Sequence, residues 1–386
     1  MITRTDLEAI SRLDHPEGHL LSLYLPLFKD KSDTDYNIEL KNLLRSANQR
    51  FQHETGNELP DAFSELFEDI RVYIRDNAGK YGRGIALFAS PDDGIVETRS
   101  TPDIIESSAI VDARPNLAPL IRLVEDFDPY CICIISRDQA RILTGYLDHL
   151  DEHSQLEDDE VPGQHDQGGW SQARFERHIE DHVHRHFKRV AEKLFQMLEN
   201  KEYTHLILAG PEEVVSGFES TLHQYVQDRV IGHVRLLMEA NINDVRDNAR
   251  DVLADYIRKR KLTLIEQVES ESKANDLGVH GLTETLEALQ RGQVQSLVVD
   301  SDVRSSGIVC KECGAMSVAP GEGNTCVFCQ SDEIRDMDNI IPGLITTAFQ
   351  QGSAISVIDN DEQKEHLGRL GGIGAILRFR VEQQSA

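Results

Sequence analysis

Four cysteines near the C-terminus constrain this chain more tightly than any other feature. Cys310-Lys311-Glu312-Cys313 is followed, after 12 residues, by Cys326-Val327-Phe328-Cys329. Two CxxC knuckles at this spacing bring four thiolates around one tetrahedral Zn²⁺. The alternatives are four ordinary thiols or two disulfides. Four protein ligands leave no open coordination position, so such a zinc is structural rather than catalytic. Gly314, Gly321 and Gly323 permit the tight turns a ribbon needs. The segment has few apolar residues, so the metal would have to hold its shape. Cys131 and Cys133 are two apart in an apolar run and read as core on one face of a strand.

The rest of the composition narrows the class. The chain has 386 residues, which predicts two or three domains. It carries 40 Lys+Arg against 67 Asp+Glu, a net charge of −27, with 39% hydrophobic and 6% aromatic residues. No run of roughly 18 apolar residues occurs, which argues against a membrane span. Apolar runs of element length argue against a disordered chain. Asp6, Glu8 and Asp14 near the start do not suit a secretory signal. With the cysteine spacing, this points to a reducing cytoplasm. The acidic excess argues against non-specific coating of nucleic acid, and neither DNA nor a membrane is expected as a partner. A local basic surface that docks on RNA remains compatible with it.

Periodicity predicts an α/β protein of three domains. Residues 1–126 read as an α+β domain, with helices over 33–51 and 60–77 and strands at 19–28, 84–89, 94–98 and 108–111. Residues 127–275 read as a three-layer α/β domain. Its strands are expected at 130–136, 139–146, 203–209 and 231–238, and its helices at 171–198, 211–227 and 244–274. Residues 276–386 read as a small α/β sandwich with the cysteine-bearing insert at 309–330. Between the second and third strands of the middle domain, residues 148–166 hold eight acidic residues and no Lys or Arg. This stretch is expected to be a solvated loop.

That loop leads into the second chemical signal, Gly168-Gly169-Trp170-Ser171-Gln172. Paired glycines let a backbone approach a ligand closely, and Ser171 is a good helix N-cap. A helix N-terminus offers unpaired N–H groups to phosphate or to a developing oxyanion. The predicted helix has an apolar stripe at Phe175, Ile179, Val183, Phe187, Val190, Leu194 and Leu198. Arg174, Arg177, Arg185, Lys188 and Arg189 would line its polar side, with His178, His182, His184 and His186 among them. In so acidic a chain, a basic helix behind a glycine loop suggests a nucleic-acid contact. The plainer alternative is a flexible loop before a solvated helix face. The histidines form i,i+4 pairs but no HExxH, so RNA contact or solvation is favoured over metal. GxxxxGK[ST], GxSxG and a full dinucleotide fingerprint are all missing.

Taken together, these strings resemble the archaeal–eukaryotic class 1 peptide-chain release factor superfamily, which includes Pelota. Gly168-Gly169-Trp170-Ser171-Gln172-Ala173-Arg174-Phe175 is similar to the family's GGQ loop, with its following serine and Arg-Phe pair. Leu282–Val294 resembles the helix before the first strand of the family's third domain. The two knuckles resemble the zinc insert of archaeal members. Gly371-Gly372-Ile373-Gly374-Ala375-Ile376-Leu377-Arg378-Phe379 is close to the family's GGIGGILR-aromatic ending. The likeness covers residues 130–381 well and 17–126 more loosely.

The resemblance implies a factor shaped for the ribosomal A site, in contact with 23S and 16S rRNA. The middle domain would reach the peptidyl-transferase centre and the N-terminal domain would face the decoding region. The third domain would face the stalk base or a translational GTPase of the EF-Tu class. Two departures shape the expected function. Trp170 stands where hydrolytic members carry the glutamine that helps place water on the peptidyl-tRNA ester. Its indole offers one N–H donor and no acceptor, but it can stack on a base. The N-terminal domain also lacks the NIKS and YxCxxxF strings of stop-codon reading. Bacterial relatives with a GGW-Ser-Gln-type loop include hibernation factors of the Balon type. One expectation is therefore a ribosome hibernation or stress factor. The other is a rescue-type peptidyl-tRNA hydrolase that uses Gln172. For either, Gly168, Gly169, Trp170, Ser171, Arg174, Arg177, Arg185, Lys188 and Arg189 are the expected rRNA or tRNA contacts.

Overall fold

A computed structural model describes residues 4–13, 20–27, 33–77, 80–81, 83–101, 106–112, 114–126, 128–146, 149–157, 172–321, 323–337 and 339–380. In the N-terminal part the order is α1 (Arg4–Ile10), β1 (Leu20–Pro26), α2 (Asp33–Thr55), α3 (Ala62–Asn77), β2 (Gly84–Ser90), β3 (Gly94–Thr101), β4 (Ser108–Asp112) and α4 (Ala118–Asp126). The strands form an antiparallel sheet in the order β3-β2-β1-β4. Alternation along β1 sends Leu21, Leu23 and Leu25 to one face. There they meet Leu40 and Leu44 of α2 and Phe63, Leu66 and Ile70 of α3. Helix α4 has no counterpart in the expected elements. Leu120 and Ile121 are fully buried.

The middle part runs β5 (Tyr130–Ile135), β6 (Gln139–Tyr146), β7 (His149–Glu157), α5 (Gln172–Glu199), β8 (His205–Ala209), α6 (Glu212–Glu219), α7 (Gln224–Gln227), β9 (Val230–Val234) and α8 (Ile242–Lys273). Its sheet order is β7-β6-β5-β8-β9, parallel from β5 to β9 and antiparallel on the β6–β7 side. Both faces are covered. Cys131 and Cys133 point to α5, α6 and α7, where Phe187, Val190, Leu194 and Phe218 pack. Tyr130, Ile132 and Ile134 point to α8, where Val245 and Ala249 pack. This is the expected three-layer arrangement.

Three expectations are corrected here. Residues 149–157 of the acidic stretch are not loop but strand β7, paired along β6. It is an edge strand, and edges tolerate charge because one side faces water. Asp148 and residues 158–166 lie outside the described residues. The helix expected over 211–227 is two, interrupted at residues 220–223. The strand expected over 231–238 stops at Val234.

The C-terminal part contains β10 (Gly278–His280), α9 (Leu282–Gln290), β11 (Val294–Asp300), β12 (Gly307–Cys310), β13 (Met316–Ser317), β14 (Ile334–Met337), α10 (Ile341–Gln350), β15 (Ala354–Ile358), α11 (Asp361–Gly368) and β16 (Ile373–Leu377). A mixed sheet, β10-β16-β11-β15, carries a separate three-stranded insert, β13-β12-β14. Ile265 and Val268 of α8 and Leu367 of α11 close one face of the larger sheet. The chain divides into two compact units, residues 1–126 with 261–386, and residues 127–260. Among the described residues no helix is long and apolar enough to cross a membrane.

The Gly-Gly-Ile-Gly string has a packing explanation. Gly371 and Gly372 have φ of +85° and +76°, a left-handed turn that ends α11 and starts β16. Gly374 lies in the core of β16, where a Cβ would sit 2.7 Å from Val268 Cγ1 and 3.0 Å from the Val279 carbonyl oxygen. Gly374→Ala is therefore expected to lose about 1–3 kcal/mol through overpacking. A Cβ at Gly368 would meet nothing within 4 Å. Urea unfolding of the two alanine variants should separate them, with only the first shifted by this amount.

Candidate functional site: a thiol cluster and the head of a basic helix

The two knuckles are built alike. In the first, the Cys310 N–H donates to the Ala315 carbonyl (2.9 Å) and the Gly314 N–H donates to the Cys310 carbonyl (2.9 Å). In the second, Cys326 N–H donates to the Ser331 carbonyl (2.8 Å) and Gln330 N–H to the Cys326 carbonyl (2.9 Å). Both turns need a left-handed residue after the second cysteine. Gly314 supplies it at φ +70° and Gln330 at φ +62°. The glutamine gives no such signal in the sequence.

These turns aim all four sulfurs inward. Cys310, Cys313, Cys326 and Cys329 Sγ atoms lie within 4.8 Å of one another. Cys310 and Cys329 are 3.5 Å apart, and Cys313 and Cys326 are 3.7 Å apart. A disulfide needs about 2.05 Å, and all four are free thiols. A tetrahedron of sulfurs about 2.3 Å from one zinc has edges of about 3.8 Å. The cluster therefore fits a Cys₄ zinc ion. Burial pushes the Cys326 thiol up, but hydrogen bonds from the Cys329 and Phe328 N–H groups and from the Cys313 and Cys329 thiols together bring it down to about 7. The Phe328 N–H lies 3.4 Å from that sulfur. Hydrogen bonds of this kind favour the thiolate, which is the ligating form. The insert's own core is little more than Cys310, Ala315 and Cys326, with Ile334 against them.

The second site is the head of α5. From Val183 on, this helix follows the expected stripe: Phe187, Val190 and Leu194 are buried, and Val183 and Leu198 pack against the same core. The side chains of Phe175 and Ile179 lie outside the described residues. Tyr203 Oη donates to the Leu194 carbonyl (2.9 Å), locking the turn from α5 to β8. The histidines depart from expectation. His184 is exposed, but His182 and His186 are buried, at 4% and 0% exposure, so they belong to the packed side. Arg185, Lys188 and Arg189 are exposed. Arg189 Nη2 also donates to the Glu157 carbonyl (2.8 Å), tying α5 to the end of β7. Gln172, Arg174 and Arg177 lie on the first turns of α5. Gly168, Gly169, Trp170 and Ser171 fall outside the described residues. From Gln172 to buried His182 the helix rises about 15 Å.

Two family models match end to end. "Bacterial archaeo-eukaryotic release factor family 10" matches residues 115–260, and "eRF1 domain 3" matches residues 257–381. The chain belongs to the archaeo-eukaryotic release factor and Pelota superfamily. Peptide chain release factor subunit 1 of Archaeoglobus fulgidus is 24% identical over 97% of this chain and 96% of its own length. The protein of that name from Thermococcus kodakarensis is 26% identical over 94% of each chain. The crystal structure of the archaeal translation termination factor aRF1 aligns over 98% of this chain and 99% of its own at 20% identity. Its TM-score is 0.27, too low to bear on domain arrangement. The resemblance drawn from the glycine loop, the knuckles and the C-terminal string is thereby confirmed at the level of the superfamily.

Proposed function

We propose that this protein is a release-factor-like translation factor that occupies the ribosomal A site and holds the ribosome there without reading a stop codon. The observation that carries this reading is Trp170, which replaces the family's catalytic glutamine at the head of a long basic helix. An indole can stack between unpaired rRNA bases but cannot both donate and accept towards an attacking water. The missing NIKS and YxCxxxF strings support the same conclusion. In this reading residues 1–126 face the small-subunit decoding region and 127–275 reach the peptidyl-transferase centre. Residues 276–386 face a translational GTPase of the EF-Tu class. Arg174, Arg177, Arg185 and Lys188 contact rRNA phosphates, and a structural Zn²⁺ on the four cysteines shapes the insert. The role is that of a cytoplasmic hibernation or stress factor.

The test is cosedimentation with 70S ribosomes at stated ionic strength, because phosphate contacts weaken with salt. Base stacking is worth about 1–3 kcal/mol, so Trp170→Ala should weaken association roughly 5- to 150-fold. The wild-type protein should release no peptide from stalled complexes. If it does release peptide, and Gln172→Ala abolishes the release, the protein is a rescue-type peptidyl-tRNA hydrolase instead. Unchanged association of the Trp170 variant sinks the holding role of the tip.

A further inference from the structure

We infer that the thiol cluster is also a latch: the ribbon it shapes holds the outer edge of the N-terminal sheet onto the C-terminal domain. The inference rests on the zinc reading above. It concerns one compact unit, which contains residues 1–126 and 261–386 together.

Three contacts join the ribbon to the N-terminal part. Arg335, on β14, donates through Nη2 to Asp112 Oδ1 at 2.8 Å, with both side chains about three-quarters buried (24% and 26% exposed). Asp112 ends β4, the outer strand of its sheet. Arg114 lies two residues on, and its exposed guanidinium lies beside Gly314 of the first knuckle. A Cβ on Gly314 would sit 3.7 Å from Arg114 Nη2. Helix α2 packs against β14.

All three depend on the shape of the knuckles. β14 pairs only with β12 in its sheet, and β12 ends on Cys310. Gly314 takes its left-handed turn to close the first CxxC. The knuckle end has only Cys310, Ala315, Cys326 and Ile334 for a core, so the metal fixes Gly314 and the start of β14. The other end of the ribbon is held by Met316 of β13 beside α9 and Gly343 of α10. Other contacts along the same seam lie elsewhere. Helix α4 packs on β15 and α10, Gln350 Nε2 donates to the Ser11 carbonyl (3.1 Å), and Arg122 pairs with Asp359. Those do not involve the ribbon. Metal loss should therefore free one edge of the N-terminal part and leave the other docked.

Hydrogen exchange read by mass spectrometry on the full chain tests this. Three samples are compared: zinc-loaded protein, chelator-stripped protein, and zinc-loaded Arg335→Gln. Stripping should expose residues 305–337. It should also speed exchange in 106–117 and in α2 by a factor of about ten, with 118–126 unchanged. Arg335→Gln should keep one zinc and speed exchange at 106–117 alone. If stripping opens the ribbon while 106–117 exchanges at the loaded rate, the latch is disproved. If the purified chain binds no zinc in a metal assay, the zinc reading fails first and the latch falls with it.

Discussion

Cys326→Ser is expected to reduce zinc affinity about 100- to 1000-fold and to leave the insert unfolded at ordinary zinc concentrations. A structural zinc supplies roughly 10–16 kcal/mol of apparent binding free energy, which is folding free energy when no site exists in the unfolded chain. Shared over four thiolates, one ligand carries about 2.5–4 kcal/mol. Cys326 is chosen because it is buried in the insert's small core and its sulfur accepts the Phe328 N–H at 3.4 Å. A serine oxygen keeps the volume but is a poorer, protonated donor. Competition against a chromogenic chelator measures the loss, with one zinc per wild-type chain as the reference. Cys133→Ala is the control: this thiol lies in the middle core, against α5 and α6, and zinc stoichiometry should not change.

The second large effect is Phe218→Ala, which should destabilise the middle domain by about 3–5 kcal/mol. Phe218 is fully buried, and its ring meets Phe187 edge to face at 5.4 Å. Phe187 is also the aromatic anchor of α5 on the sheet. The truncation removes a large apolar surface and opens a void beneath the helix that begins at Gln172. Urea unfolding should show the shift, and ribosome association should fall with it as the helix loosens. Phe379 is half exposed, and Phe379→Ala should change stability by no more than about 0.5 kcal/mol.

Much of this was legible in the residues. The stripe from Val183 to Leu198 and the alternation in β1 each obey one periodicity and fold as expected, and the spacing of the two CxxC pairs brings their four sulfurs within 4.8 Å of one another. What escaped was decided by neighbours rather than by local pattern. Helix α4 gives little local signal: Pro115 precedes it and Pro119 lies in its first turn, where Pro is at home, and Leu120 and Ile121 find a core. The charges of β7 read as solvated chain, but the strand needed only Leu150 buried beneath it. His182 and His186 look like polar-face residues until α5 is seen to pack over a broader sector than its apolar stripe. The glycines of the C-terminal string gave the resemblance first. Their physical reason, two left-handed turns and a crowded third position, emerges only from the packing against α8.

The division of one compact unit between the two ends of the chain has a consequence for its birth. The apolar side of α4 leaves the ribosome long before β15 and α10, the elements that cover it, have been made. At about 5–20 residues per second, that interval is on the order of 10–50 s. The middle domain can fold in the meantime on its own. The nascent N-terminal segment must wait with the side of α4 that meets β15 and α10 uncovered, open meanwhile to chaperones and proteases.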